Sequence, residues 1–176
     1  MIVTQNFFDL VRESLFDGKL RGSQIIGIKN IANSCIKYGV KDKRQIAYIL
    51  ATVFHETAKK MQPVKEFGSD TYLMSKAYYP YYGRDLCQTT WKVNYEKVKN
   101  FSGIDVVANP DLIGQMPLAA DVAVVFMKNG WYTTKKLSMY FNEEIEDAVN
   151  ARRIINGKDK AELIAVYYNK FLTALT

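Results

Sequence analysis

Residues 46–66, IAYILATVFHETAKKMQPVKE, decide how the chain is read. Ile46, Ile49, Leu50 and Val53 recur at the i, i+3, i+4, i+7 spacing of an amphipathic helix. Glu56 follows Val53 by three residues and Ile49 by seven. At about 3.6 residues per turn, that puts a carboxylate on the side of the apolar stripe. Lys59, Lys60, Met61, Gln62 and Pro63 read as the end of the helix. A carboxylate there meets desolvation and the negative end of the helix dipole, and both favour its protonated form near neutral pH. The bland alternative is a helix-end glutamate turned to water, the usual fate of a carboxylate.

Outward from that helix, composition sets the frame. A chain of 176 residues, 48% apolar and 24% charged, is expected to fold as one globular domain over residues 1–176 with a real core. No apolar run is long enough to cross a bilayer, so no stable membrane insertion is expected. The opening MIVTQNFFDLVRESLFDG places Asp9, Arg12, Glu13 and Asp17 inside an apolar pattern and lacks a basic n-region. It therefore reads as a helix and not as a signal peptide, which points to accumulation in the cytoplasm. The net charge of +6 suits a polyanionic partner, but the basic residues are dispersed over 41–44, 59–65, 92–99, 135–136 and 152–160. Cys35 and Cys87 form no metal-ligand spacing and there is one His, so no metal and no cofactor are expected. Cys35 falls in an apolar pattern and is expected reduced and buried.

In order, Thr4 can cap a first helix with Phe7, Phe8, Val11 and Leu15 as its stripe, ending at Gly18. Ser23 can cap a second, carrying Ile25, Ile28, Ala32, Cys35 and Ile36 and stopped at Gly39. Asp42 with Gln45 resembles a capping box for the third. Such a helical hairpin is far commoner as a packing unit than as a DNA reader, and no nucleic-acid partner is expected. Residues 61–82 are punctuated by Pro63, Gly68 and Pro80 and crowd Tyr72, Tyr78, Tyr79, Tyr81 and Tyr82, which predicts loops with a short hairpin. Those rings can stack on sugar faces or staple the loop to the body. Residues 83–95, GRDLCQTTWKVNY, set uncharged hydrogen-bonding groups beside Trp91 and Tyr95, a mixture suited to a neutral sugar. Asn109-Pro110-Asp111 marks a turn, and Pro117 opens a strongly apolar helix with Leu118, Val122, Val125 and Phe126, closed at Asn129-Gly130. Residues 131–141 predict a short helix or turn, and 143–155 a helix. Asp159 can cap a last helix with Ala161, Ile164, Tyr168, Phe171 and Leu172 buried. The class is mostly α, or α+β with little β.

Four strings stand in this order: HET at 55–57, MQPVKEFG at 61–68, YYGRDLCQTTWKVNY at 81–95 and NARRIING at 150–157. Together they resemble glycoside hydrolase family 19, the chitinases and the related phage endolysins that cut peptidoglycan, over roughly residues 46–172. The resemblance implies a lysozyme-like, mostly helical fold with a cleft between a helical body and a smaller lobe, and hydrolysis with inversion. The Glu of its HET motif is the general acid, which corresponds to Glu56. It also implies a base in the following loop, where Glu66 is the only carboxylate between Glu56 and Asp70; Asp70 is the alternative. The motif GRGxxQLTW aligns with Gln88, Thr90, Trp91 and Asn94, implying sugar contacts for Gln88, Trp91 and Asn94 and a water-holding role for Thr90. His55, Tyr82 and the Asn156 of IING are further implied substrate contacts. Arg152 and Arg153 are expected to be structural. Two positions depart from the motif: Asp85 stands where it has its second Gly, and Thr89 where it has Leu. A side chain at that Gly can demand another backbone conformation or narrow the cleft.

Inverting glycosidases pair a protonated carboxyl with an ionised one roughly 6.5–9.5 Å away, leaving room for water. Glu56 on a helix end suits the acid and Glu66 beside Lys65 suits the base. The expected function is therefore an endolysin-type hydrolase cutting β-1,4 bonds of peptidoglycan, its polysaccharide partner. It is expected to act as a monomer held in the host cytoplasm before release to the wall. Chitinase, or a catalytically weakened wall-binding relative, is the alternative.

Overall fold

The structure, a computed structural model, describes residues 2–176; Met1 of the expected domain lies outside them. Helix α1 (Gln5–Leu15) starts as expected, with the Phe7 N–H donating to Thr4 Oγ1 at 3.2 Å, and it buries Phe7, Phe8, Val11 and Leu15. Helix α2 (Gly22–Lys37) starts earlier than Ser23. Its N-cap is Arg21, whose N–H donates to Gln24 Oε1 at 2.8 Å, the glutamine's half of a capping box, and Ser23 lies inside the first turn. Ile36, assigned to the buried stripe, is 57% exposed. Ser34 faces inward instead, because its hydroxyl donates to the buried Asp121 carboxylate of a neighbouring helix at 2.6 Å.

Helix α3 (Lys43–Glu56) is capped by Asp42, which accepts from Arg44 N–H at 2.8 Å. Gln45 closes no capping box; its amide donates to Phe141 O at 2.9 Å. Residues 46–54 are all buried, so α3 is a central helix surrounded by protein and not the amphipathic helix its spacing predicts. Helix α6 (Leu118–Asn129) is the second such spine, buried from 118 to 127 and closed at Gly130. Helix α7 (Ala161–Leu175) packs along α3 and against α1. Phe54 is the hinge of that packing, with ring centroids 5.2 Å from Phe16, 4.8 Å from Tyr167 and 5.9 Å from Phe171.

A second, smaller core joins Tyr95 and Val98 of α5 (Lys92–Ser102), Val106, Ile113 of the 3-10 turn Pro110–Gly114, and Leu118, Val122 and Phe126 of α6. The other face of α6 supplies Ala119, Ala120, Ala123, Val124 and Met127 to the main core. Three expectations are corrected. Residues 143–155 are not a helix: Phe141 pairs with Glu146 in an antiparallel bridge, and only Asn150–Ile154 winds, as a 3-10 turn. Asp159 does not cap α7, because its carbonyl accepts from Arg152 Nε at 2.9 Å and the N-cap is Lys160. The hairpin in 61–82 is absent; a short helix α4 (Asp70–Met74) stands there. The ends of that excursion are nevertheless joined, by Glu66 N–H to Gly83 O at 2.7 Å and Val64 N–H to Asp85 O at 3.3 Å. Among the described residues no longer β-pairing occurs, and the class is mostly α.

Candidate active site

Glu56 is the last residue of α3, and the chain reverses directly after it through Ala58, Lys59 and Met61, all with positive φ. Each such non-glycine residue costs on the order of 1–2 kcal/mol, so the turn must be held from outside. Thr57 holds it from within the helix: its buried hydroxyl donates to Val53 O at 2.7 Å and accepts from Met61 N–H at 2.9 Å. The start of α2 holds it from below, where Gln24 donates to Lys59 O at 2.9 Å and Gln62 donates to Ser23 O at 2.5 Å. Gly27 lets the two backbones touch, since a Cβ there would lie 1.8 Å from Met61 O. The carboxylate this turn presents accepts from Arg152 Nη1 at 2.5 Å, and the arginine side chain is only 3% exposed. The wall facing Glu56 is therefore a buried cation, where the sequence predicts apolar neighbours. His55 turns to the other side of α3 and lies against Tyr167, where burial pulls its pKa down. Asn156 is exposed beside this group, its N–H bonded to Arg152 O at 3.0 Å.

Glu66 is held by two donors. Tyr78 OH gives a hydrogen bond of 2.6 Å to Oε1, and the Gly83 N–H one of 3.2 Å to Oε2. The bond to that carboxylate pushes the Tyr78 phenol up to about 12. Asp70, the alternative base, has a side chain 90% exposed and 3.7 Å from Lys65, away from these donors. Gly83 also makes room for Gln88: a Cβ would come within 2.4 Å of Gln88 Oε1. Gln88 has φ 57° and donates to Val64 O at 2.5 Å, so its amide backs the segment that carries Glu66. Trp91 is 50% exposed and sets its ring edge-on to Tyr78 at 5.4 Å. Asn94 donates to Thr90 O at 2.9 Å and accepts from Lys97 Nζ at 3.0 Å, which pins the entry to α5. Among the described residues, the half-buried Thr90 side chain has no protein hydrogen-bond partner. Tyr82 is corrected as a sugar platform: it is 8% exposed, and the Arg84 guanidinium covers its ring at 3.4 Å.

Arg84 and Asp85 organise this loop from beneath. Arg84 donates to Asp111 at 2.7 Å, to Pro80 O at 2.9 Å and to Tyr82 O at 3.0 Å, tying the loop to the smaller core. Asp85 is fully buried, and its φ is not positive. It neither narrows an opening nor strains the backbone. Cys87 is a buried free thiol in the same loop. Burial, then the charges of Asp85 and Glu56, push its thiol well up. The structure thus joins Glu66, Gln88 and Trp91 through Gly83 and Tyr78, and separately joins Glu56 and Asn156 through Arg152. Tyr78, Arg84 and Gly27 escaped the sequence reading as site supports. Only Tyr78 left a signal, in the tyrosine cluster.

No protein-family model matches the chain. An endochitinase of Arabidopsis thaliana is 28% identical over 126 residues, covering 68% of this chain and 42% of the relative. A second Arabidopsis endochitinase is 32% identical over 88 residues, 47% of this chain and 31% of the relative. An acidic endochitinase of Dioscorea japonica is 27% identical over 128 residues, 68% and 49%. The chain therefore spans less than half the length of these curated relatives. In fold it is similar to chitinase C of Streptomyces griseus, with a TM-score of 0.64 at 22% identity, covering 99% of this chain and 76% of that one. A bacterial family 19 chitinase gives the same TM-score of 0.64 and identity of 22%, covering 99% and 95%. In sequence the chain is thus similar to plant endochitinases over part of their length, and in fold it is similar to bacterial chitinases, one of them of family 19.

Proposed function

We propose that the chain hydrolyses β-1,4 bonds of N-acetylglucosamine polymers such as chitin, with inversion at the anomeric carbon. The observation that carries this reading is the grip on Glu66: two donors fix its carboxylate, and one of them, Gly83, also seats Gln88. A base must be aimed at its water, and the two donated hydrogen bonds fix the carboxylate in place. Glu66 takes the proton of a water that attacks the anomeric carbon, and the water rests against the Thr90 hydroxyl. Glu56 gives its proton to the departing glycosidic oxygen. The carboxylate it becomes meets the Arg152 guanidinium already in place, a charge arrangement that needs no reorganisation during the step. Gln88, Trp91, Asn94 and Asn156 line the sugar path in this assignment, and His55, turned to Tyr167, does not. The plant endochitinases and the bacterial chitinases named above support chitin as substrate over peptidoglycan.

The test is chitohexaose hydrolysis followed by proton NMR, with α-anomeric products expected from the β-linked substrate. Glu56→Gln and Glu66→Gln should each lower the rate by about 100-fold or more, the scale of a lost acid or base. Near-normal turnover by either variant would remove that residue from its role, and β-anomeric products would exclude inversion.

The net charge of +6 favours a second reading, peptidoglycan of the anionic bacterial wall. On that reading the protein is an endolysin kept in the host cytoplasm until release. Mass spectrometry of muropeptides after digestion of purified sacculi distinguishes the two, because a pure chitinase leaves sacculi intact.

A further inference from the structure

The two departures from the motif, Asp85 and Thr89, touch each other. Thr89 Oγ1 donates to Asp85 Oδ2 at 2.6 Å and the Thr89 N–H donates to Oδ1 at 2.8 Å. The Cys87 N–H adds a third bond to Oδ1 at 3.3 Å, and Thr89 Oγ1 lies 3.3 Å from Tyr132 OH. The carboxylate is fully buried, and its partners come from the four residues that follow it. Those residues include Gln88 at φ 57°, and Trp91 at φ 75° lies just beyond. Left-handed conformations at non-glycine residues persist only where the surroundings over-determine them. The buried carboxylate is the group placed to do this here.

We propose that Asp85 and Thr89 form one compensated pair, a positioning device that holds the Gln88–Thr90 edge of the substrate path in place of the Gly and Leu of the related motif. The two substitutions are then a single change. Either alone would be damaging: Asp85 without the Thr89 hydroxyl is a buried carboxyl group short of a donor, and Thr89 without Asp85 is a buried amide short of an acceptor, its hydroxyl left with Tyr132 alone. Together they satisfy each other, so the departures do not mark a weakened enzyme. The proposal rests on the functional reading above only where it concerns sugar.

The experiment is a double-mutant cycle of Asp85→Gly, Thr89→Leu and the double variant, read in urea unfolding and in chitohexaose kinetics. Each single variant should raise KM about tenfold with a smaller fall in kcat, because the wall that binds sugar is displaced while Glu56 and Glu66 stay seated. A protein merely less folded would lose kcat at constant KM. The double variant, which restores the motif, should recover KM to within about threefold of the parent. Effects that multiply in the double variant, in both readouts, overturn the pairing. Should a single variant fail to fold, Thr89→Val and Thr89→Ser take its place: the serine keeps the hydroxyl and should keep KM, and the valine should not. Equal KM for the two overturns the proposal. If the parent cleaves no chitohexaose, the functional reading fails by itself. The pair is then judged by unfolding alone, where a coupled cycle supports it and an additive one overturns it.

Discussion

A guanidinium with 3% of its side chain exposed needs an acceptor, and for Arg152 that acceptor is the carboxyl group of Glu56. Removing one partner of such a pair strands the other. Arg152→Met should therefore cost about 3 kcal/mol, the low end for a buried pair because Glu56 retains some water. The double variant with Glu56→Gln should recover part of the loss, and urea unfolding of the three proteins measures both effects. Glu56 and Glu66, the proposed acid and base, could be singled out in the chain because their strings carry them. The partners were not. Arg152 was expected to be structural but not to face the acid, and Tyr78 was one tyrosine among several. Which hydroxyl or guanidinium reaches a carboxylate depends on how the loop returns, and the loop leaves no periodicity to read. Asp85 shows the same limit: its spacing to Thr89 is visible, but that both turn inward and bond is not.

At the level of elements, α1 and α6 were readable because a start signal, apolar residues and a stop coincide in each, the start being the Thr4 cap in α1 and Pro117 in α6. Helix α5 was not, since its eleven residues bury only Tyr95 and Val98. Residues 143–155 misled in the opposite sense, where polar side chains bond locally and replace helical turns. Asp147 is the example, accepting from the Asn150 N–H at 2.9 Å and from its side chain at 2.8 Å. Those bonds, with the backbone one foremost, hold its pKa below the usual carboxylate value. A carboxylate lowered on folding stabilises fully above its unfolded value, and the contribution disappears as pH falls through the folded one. Asp147→Asn should therefore flatten the loss of stability below about pH 4, measured as urea midpoints from pH 7 to pH 2. Gly27 tests the contact beneath Glu56. Alanine normally favours a helix by about 1 kcal/mol over glycine. Here its methyl would meet Met61 O, a backbone atom in a turn already strained. Gly27→Ala should destabilise by about 3 kcal/mol or more, the upper range for overpacking, and thermal unfolding gives the sign directly.

The whole molecule is two cores of unequal size sharing one helix. Because α6 lends one face to each, they should unfold together. Phe126→Ala, which removes a fully buried ring from the smaller core, should cost about 3–5 kcal/mol and leave a single unfolding transition. Two resolved transitions in calorimetry would show that α6 does not couple them. One further consequence follows from the two backbone bonds that close residues 67–82 at their base, Glu66 to Gly83 and Val64 to Asp85. The excursion leaves and re-enters the body at fixed points, with the groups that aim Glu66 and Gln88 at the re-entry. Its interior is thus an exchangeable cassette. Evolution, or an engineer, can lengthen or replace residues 67–77 to reach a different polymer while the reacting groups keep their places.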